Sequence, residues 1–244
     1  MIGWLPAGWP AVPWVRAGTT LRTGGSSVGA FASLNLADHV GDRPEAVWAN
    51  RAQVRSALHL PSEPCWLRQV HGTQVLQAGG SIYGAADAIV ASRYGLVCAI
   101  LTADCLPVLF CDTCGTRVAA AHAGWRGLAA GVLEQTVAAL GCDPGSLFAW
   151  LGPAIGADAY EVGAEVRACF VRSDRAADAA FRPSREGHYL ADLYGLARAR
   201  LQAVGVDKIY GGSRCTFSEP AQFFSYRRDG ACGRMASLIW LDRS

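Results

Sequence analysis

The sequence predicts a mixed α/β (α+β) fold, and three observations carry that expectation. Short apolar runs crowd residues 65–121, with glycines and polar turns between them. A few longer stretches with helical apolar spacing are mingled with those runs. Neither a fixed-period repeat nor a low-complexity segment marks a boundary, so residues 1–244 read as a single domain. That length is close to the upper limit for one hydrophobic core. With 51% hydrophobic and 17% charged residues, the composition fills such a core and excludes a disordered, tail-like chain.

In chain order, residues 15–22 read as a strand that runs into the Thr23-Gly24-Gly25-Ser26-Ser27 loop. Asp42 resembles a helix N-cap, because Pro44 and Glu45 fall in a first turn and Val47, Arg51, Val54 and Leu58 follow at helical spacing. Strands are expected at 66–71, 74–77, 88–91, 96–101, 107–110 and 117–121. Residues 126–140 form an amphipathic helix through Leu133, Val137 and Leu140, with Gly141 placed to stop it. The second half adds a strand at 148–151, helices near 162–171 and 190–204, and strands near Ile209 and Leu238.

The formal net charge of +2 offers no field for a polyanion, which excludes nucleic acid as an expected partner. Lys208 is the single lysine, so nearly every positive charge is a guanidinium, suited to phosphate or carboxylate. Residues 1–13 lack the charged and apolar regions of a signal peptide, and the longest apolar stretch, 96–108, is broken by Thr102, Asp104 and Pro107. The expectation is a cytoplasmic protein with no membrane partner. Nine cysteines without dense regular spacing read as free thiols, with Cys98, Cys142 and Cys169 packing as small hydrophobes.

Reactive residues at predicted strand ends are the candidates for chemistry. His71 ends one such run, Cys105 follows another in Thr102-Ala103-Asp104-Cys105, and His122 follows Ala119-Ala120-Ala121. Each alone reads as a hydrogen-bonded or packed structural residue. Brought together, two imidazoles and a thiolate make the three-ligand set of a catalytic zinc, with a fourth position open. Copper accepts the same donors. Cys105 with His122 also reads as the nucleophile and base of a cysteine hydrolase.

Other signals are local. Cys111-Asp112-Thr113-Cys114 is a lone C-x-x-C without a second motif and reads as a strand-end turn. Ala123-Gly124-Trp125-Arg126-Gly127 enters a helix, so helix N–H groups and the Arg126 fork face the metal region as an anion site, unless Arg126 is a plain surface residue. Asp87 and Asp104 orient a histidine, contact substrate hydroxyls, or cap turns. Residues 223–230 mix aromatics with Arg227 and Arg228 and read either as a clamp for a flat or charged group or as an edge strand.

Several of these segments together resemble the YfiH-like laccase-domain family, also described as purine nucleoside phosphorylases or polyphenol oxidases. The likeness covers most of the chain. It rests on Arg22-Thr23-Gly24-Gly25-Ser26, Ser33-Leu34-Asn35-Leu36, Gly41-Asp42, Arg68-Gln69-Val70-His71-Gly72, Asp87-Ala88-Ile89-Val90, Thr102-Ala103-Asp104-Cys105, Ala121-His122-Ala123-Gly124-Trp125-Arg126-Gly127, Gly152-Pro153-Ala154-Ile155-Gly156 and Ser225-Tyr226-Arg227-Arg228. Cys232 departs from the family pattern, which usually has threonine there.

The resemblance implies a layered α/β/β/α sandwich from a duplicated unit, with metal ligands at His71, Cys105 and His122. It further implies phosphorolysis of purine nucleosides, with adenosine deamination and methylthioadenosine cleavage associated. Copper-dependent phenol oxidation and peptidoglycan editing are alternatives the family names suggest. For phosphorolysis the expected catalytic set is His71, Cys105, His122, Arg126 and Asp104. Arg126 and Arg22 with Gly24 and Gly25 are expected to hold phosphate, while Asn35, Asp87 and Arg227 make further substrate contacts. The expected partners are a purine nucleoside and phosphate, the expected metal is zinc, or copper in the oxidase reading, and the expected state is a monomer or homodimer.

Overall fold

A computed structural model describes residues 2–79 and 84–242. The first half runs β1 (Trp4–Pro6), β2 (Val15–Thr20), α1 (Pro44–Ala57), β3 (Val75–Gln77), β4 (Ala88–Ala91), β5 (Val97–Thr102), β6 (Leu106–Asp112) and β7 (Val118–Ala123). Then come α2 (Trp125–Ala130), α3 (Val132–Leu140), β8 (Leu147–Leu151), β9 (Glu161–Gly163), α4 (Ala164–Ser173), β10 (Phe181–Pro183), β11 (His188–Ala191) and α5 (Leu193–Ala203). Three short elements follow, β12 (Lys208–Gly211), α6 (Tyr226–Asp229) and β13 (Met235–Leu241).

The strands form a four-stranded sheet in the order β1-β2-β13-β5, a six-stranded sheet in the order β12-β8-β6-β7-β4-β3, and a small β10-β11-β9 sheet. The pairs β3–β4 and β8–β12 are parallel and the remaining strand pairs are antiparallel. The two larger sheets face each other. Cys98 and Ile100 of β5 and Ile239 and Leu241 of β13 pack on Ile89, Leu109, Cys111, Val118, Ala120 and Trp150.

Alternate residues of the same strands point outward. Val97, Ala99, Leu101, Leu238 and Trp240 meet Val54 and Leu58 of the α1 region. Val108, Phe110, Ala119 and Ala121 meet Leu128, Leu133, Val137 and Leu196 from α2, α3 and α5. Both faces of β5, β6, β7 and β13 are therefore buried, which is why those segments read as nearly continuous apolar runs. The result is the α/β/β/α layering that the resemblance implies. Alanines dominate β7, whose residues are all buried, and their small side chains let the second sheet and α3 approach it from opposite sides.

Several expected boundaries shift. The N-cap of α1 is Arg43, with no side-chain cap bond. Asp42 instead accepts from Ser27 Oγ at 2.6 Å and Asn35 Nδ2 at 2.9 Å, and ties the glycine loop to the segment before the helix. Residues 66–71 form no strand; the backbone makes isolated bridges at Cys65, to Cys98, and at Arg68, to Ala85. The Gln69 side chain stands in for a ladder there, donating to the Leu101 carbonyl at 2.9 Å and accepting its amide at 2.8 Å.

The expected 126–140 helix is two helices, because Gly131 adopts φ 98° and breaks the run. Near 162 and 190 the expected helices begin as strands β9 and β11 before α4 and α5 follow. The 223–230 segment is not an edge strand: Phe223 and Phe224 are fully buried with Met235 and Cys232, and α6 makes one helical turn after them. Among the described residues no helix is long and apolar enough to cross a membrane.

Candidate metal centre

The chain changes sheets between β5 and β6, and Cys105 sits in that crossing turn. Asp104 bends it with φ 87°, a left-handed conformation that costs a non-glycine residue free energy and is held by its surroundings. The Asp104 carboxylate accepts from Thr216 Oγ1 at 2.6 Å and from the Arg227 amide at 2.7 Å, while its carbonyl accepts from the Ile155 amide at 3.0 Å. Three later segments thus converge on the residue beside Cys105. Asp104 fixes the turn, and both its carboxylate oxygens are engaged in doing so.

His122 is near the end of β7, paired in register with Pro107 of β6, which brings it beside Cys105. His71 arrives on the irregular segment after Gln69 with φ 60°. The potential donor atoms of His71, Cys105 and His122 all lie within 4.8 Å of one another, and Cys105 Sγ is 3.9 Å from His71 Nε2. The two imidazole rings meet edge to face, with centroids 4.7 Å apart and planes at 77°. His122 is buried, Cys105 half-buried and His71 exposed, so the cluster has one open side. No other group of three or more His, Cys, Asp or Glu close enough to share an ion occurs among the described residues.

Asp87 organises two of the three. It is fully buried just before β4, and its Oδ1 accepts from the His71 amide at 2.8 Å and pairs with His122 Nδ1 at 2.8 Å. Its Oδ2 accepts from the Gly72 amide at 2.7 Å and the Val70 amide at 3.1 Å. Burial opposes ionisation of this carboxyl, but the bonds from His122, Gly72 and Val70 outweigh it and hold the group below its ordinary range. With Nδ1 turned to Asp87, Nε2 is the nitrogen left to meet Cys105.

Burial raises the Cys105 thiol, yet the charges and hydrogen bonds of His122 and His71 reverse this and bring it down to about 6. Burial likewise lowers His122, while the Cys105 thiolate and Asp87 lift it to about 9. Both shifts run in the direction that favours a thiolate–imidazolium pair in the metal-free chain. A preformed thiolate next to an imidazole whose tautomer a carboxylate can fix is the chemistry that a divalent ion displaces protons to use. The donor set therefore fits zinc or copper.

A cleft of about 380 Å³ is lined by Trp125, Arg126, Tyr160, Arg185, His188 and Arg227, among others. Burial and then the Cys105 charge push the Tyr160 phenol up, opposed by Arg227 and Arg126, which places the cleft wall within electrostatic reach of the cluster. Arg126 is exposed and lies over the Trp125 ring at 4.4 Å. Arg227 lies 5.3 Å from the Tyr160 ring and donates to the Glu161 carbonyl at 2.7 Å. The six-residue α2 is shorter than the expected helix, so Arg126 rather than a long helix dipole supplies positive charge to this wall of the cleft.

Other expected substrate contacts are taken up by the fold. Arg22 donates to the Ala32 carbonyl through Nε and Nη2 and to the Pro220 carbonyl through Nη1. Gly25 leaves no room for a side chain: a Cβ there would sit 2.3 Å from the Ser33 carbonyl. Beside Gly24, with φ 96°, the Gly25 and Ser26 amides already donate to Ser33 and Asn50. Asn35 is fully buried, donating to the Ala37 carbonyl and Asp42 and accepting from the Ala37 and Arg234 amides. Cys215 bridges to Ala154 behind Asp104, with the Gly156 amide 3.2 Å from its sulfur. At the C-x-x-C, Asp112 caps a tight turn by accepting from the Thr116 and Arg117 amides. Tyr160 and His188 are not apparent in the sequence because they stand just before or at the start of short strands that read as helix, and Arg185 because it lies in the turn between β10 and β11, which no local pattern marks.

A fold of two facing sheets between helical layers, with a His/Cys/His cluster at the sheet crossing, defines a class. Residues 16–242 match the family described as Multi-copper polyphenol oxidoreductase laccase. The chain is 54% identical over 235 residues to a protein of Escherichia coli (strain K12) named Purine nucleoside phosphorylase YfiH, covering 96% of each. It superposes on a crystal structure of a Neisseria meningitidis protein with a TM-score of 0.94 and 52% identity, covering 99% of this chain and 100% of that one. The crystal structure of YlmD from Geobacillus stearothermophilus gives a TM-score of 0.90 at 33% identity, over 99% and 97%. The chain belongs to the YfiH-like laccase-domain family.

Proposed function

We propose that the chain is a zinc-dependent purine nucleoside phosphorylase, converting adenosine, inosine or guanosine and phosphate into free base and ribose 1-phosphate. Adenosine deamination and methylthioadenosine phosphorolysis belong to the same proposal. The observation that carries it is the convergence of His71, Cys105 and His122 beside a cleft walled by Arg126 and Arg227. The name of the Escherichia coli relative supports the substrate class.

Phosphorolysis brings an anion to the sugar carbon that releases the base, so positioning and electrostatics dominate. Arg126, whose guanidinium stacks on Trp125, and Arg227 hold phosphate in the cleft. Trp125 offers an aromatic face to the base. Tyr160 stays a neutral hydroxyl at neutral pH and can donate to a base or sugar atom. Bound zinc supplies Lewis acidity toward a base or sugar atom and, for deamination, makes water acidic enough to ionise near neutral pH. His71, Cys105 and His122 hold that ion, and Asp87 keeps the His122 proton on Nδ1. Copper oxidation of phenols is disfavoured, because one three-donor group among the described residues does not build a multi-copper cluster.

A cysteine-hydrolase reading is favoured by one arrangement, Asp87–His122–Cys105, which orders an orienting carboxylate, a base and a thiolate. The decisive experiment incubates zinc-loaded protein with inosine and phosphate and follows free base and ribose 1-phosphate. Both products should form, and Cys105→Ala should lose zinc and turnover together. Turnover that needs no metal and is abolished by iodoacetamide would instead establish the thiol as nucleophile. Absence of free base from every purine nucleoside would overturn the phosphorylase reading.

A further inference from the structure

Gly124 sits where the backbone requires no glycine. It precedes α2 with φ −62° and ψ 157°, extended values that any L-residue adopts. The space around it explains its identity. A Cβ at this position would lie 3.0 Å from Cys105 Sγ, 3.1 Å from His71 Cδ2 and 3.6 Å from His122 Cε1. Its three nearest heavy atoms thus belong to the three potential metal donors, one from each. Two of these distances are shorter than the roughly 3.5–4.0 Å optimum for carbon contacts, so even a methyl group presses on the cluster. Neighbouring glycines differ: a Cβ at Gly127 would meet the Gly72 carbonyl at 2.9 Å, a matter of backbone packing, and one at Gly72 would make only an ordinary 3.5 Å contact with Asp87.

We propose that Gly124 is a positioning residue of the metal centre, whose missing side chain reserves the volume in which the ion and its open coordination position sit. The inference rests on the metal reading given above. A side chain at 124 competes with the ion for space bounded by all three donors, and it does so without straining its own backbone. The effect is local to the cluster, and loss of metal affinity is its signature, with or without substrate.

The test titrates Co²⁺ into metal-free wild type, Gly124→Ala and Gly8→Ala, following thiolate-to-cobalt charge-transfer absorption. A Cβ at Gly8 meets nothing within 4 Å, so Gly8→Ala should bind as wild type. Gly124→Ala should raise the Co²⁺ Kd by at least about tenfold, the lower end of what disturbed ligand shells cost. If Gly124→Ala also lowers the Tm of the metal-free chain, adding Cys105→Ala should recover most of that loss, because Sγ is the nearest atom. Wild-type affinity and an unchanged spectrum in Gly124→Ala would overturn the proposal alone, as would a metal-free Tm loss that persists in full in the double variant. A wild type that takes up no Co²⁺ would overturn the metal reading and this inference with it.

Discussion

Asn in place of Asp87 separates the two jobs of one buried carboxylate. Asparagine keeps the shape and one acceptor oxygen, but its NH₂ must face two of the four donors, either the Val70 and Gly72 amides or the His71 amide and His122. Each buried donor left without an acceptor costs about 2 kcal/mol, so the metal-free chain should lose about 4 kcal/mol. At about 2–4 °C per kcal/mol for a chain of this size, Tm should fall by roughly 8–16 °C. His122 can relieve its half of the conflict only by moving its proton to Nε2, the nitrogen that faces Cys105, and zinc affinity should then fall about 10- to 100-fold. Thermal unfolding of the metal-free variant by circular dichroism and chelator competition for zinc read the two effects separately. A Tm within about 2 °C of wild type together with unchanged zinc affinity would refute the reasoning. Because the folded-state pKa of Asp87 is depressed, its contribution is fully present above the ordinary aspartate value of about 3.9 and is lost as pH falls through the lower folded value.

Four further outcomes follow from the structure. Iodoacetamide should modify Cys105 in the metal-free protein at a rate that rises through about pH 6, read as the difference between wild type and Cys105→Ala; zinc should suppress it. In the metal-free chain the Cys105 contribution to stability is fully present above the thiol's ordinary value of about 9 and lost as pH falls through about 6, while the His122 contribution is fully present below about 6.5 and lost as pH rises through about 9; the two slopes oppose each other, so Tm should vary little between about pH 6.5 and about pH 9 in wild type. Arg126→Gln should raise KM for phosphate at least about tenfold with a smaller change for the nucleoside, as expected for loss of a charge-assisted contact; equal effects on both would place Arg126 elsewhere. Gly131→Ala, forced into φ 98° with only an ordinary 3.6 Å contact to Glu134, should cost about 1–2 kcal/mol in chemical denaturation, while an unchanged midpoint would mean the helix break relaxes freely.

The sequence made the buried strands legible because β5, β6, β7 and β13 are covered on both faces and must be apolar throughout. Gly141 was readable as a helix stop, and it does cap α3 with φ 62°. The break at Gly131 was not, because apolar periodicity continues across it and only the backbone angle changes. The 66–71 segment has strand-like composition but draws its pairing from the Gln69 side chain, a long-range contact that no local pattern announces. His71, Cys105 and His122 were visible as reactive residues at the ends of apolar runs, and the structure brings them together. Arg22 and Asn35 stand in motifs as distinctive, yet their polar atoms are spent on carbonyls and amides of the fold. Tyr160 was hidden because what makes it notable is its neighbour across space, Cys105, rather than anything beside it in the chain.

The position of β13 sets the order in which such a molecule can mature on the ribosome. Residues 235–241 lie between β2 and β5, so the four-stranded sheet stays open along its middle until they have been made. Synthesis at about 5–20 residues per second leaves several seconds between the emergence of His122 and that of the closing strand. For most of that interval the thiol and both imidazoles are present without the Thr216 and Arg227 supports that brace the turn at Asp104. Metal captured then would meet a pliable nascent chain, and selectivity set by geometry must wait for the last strand to slot into place.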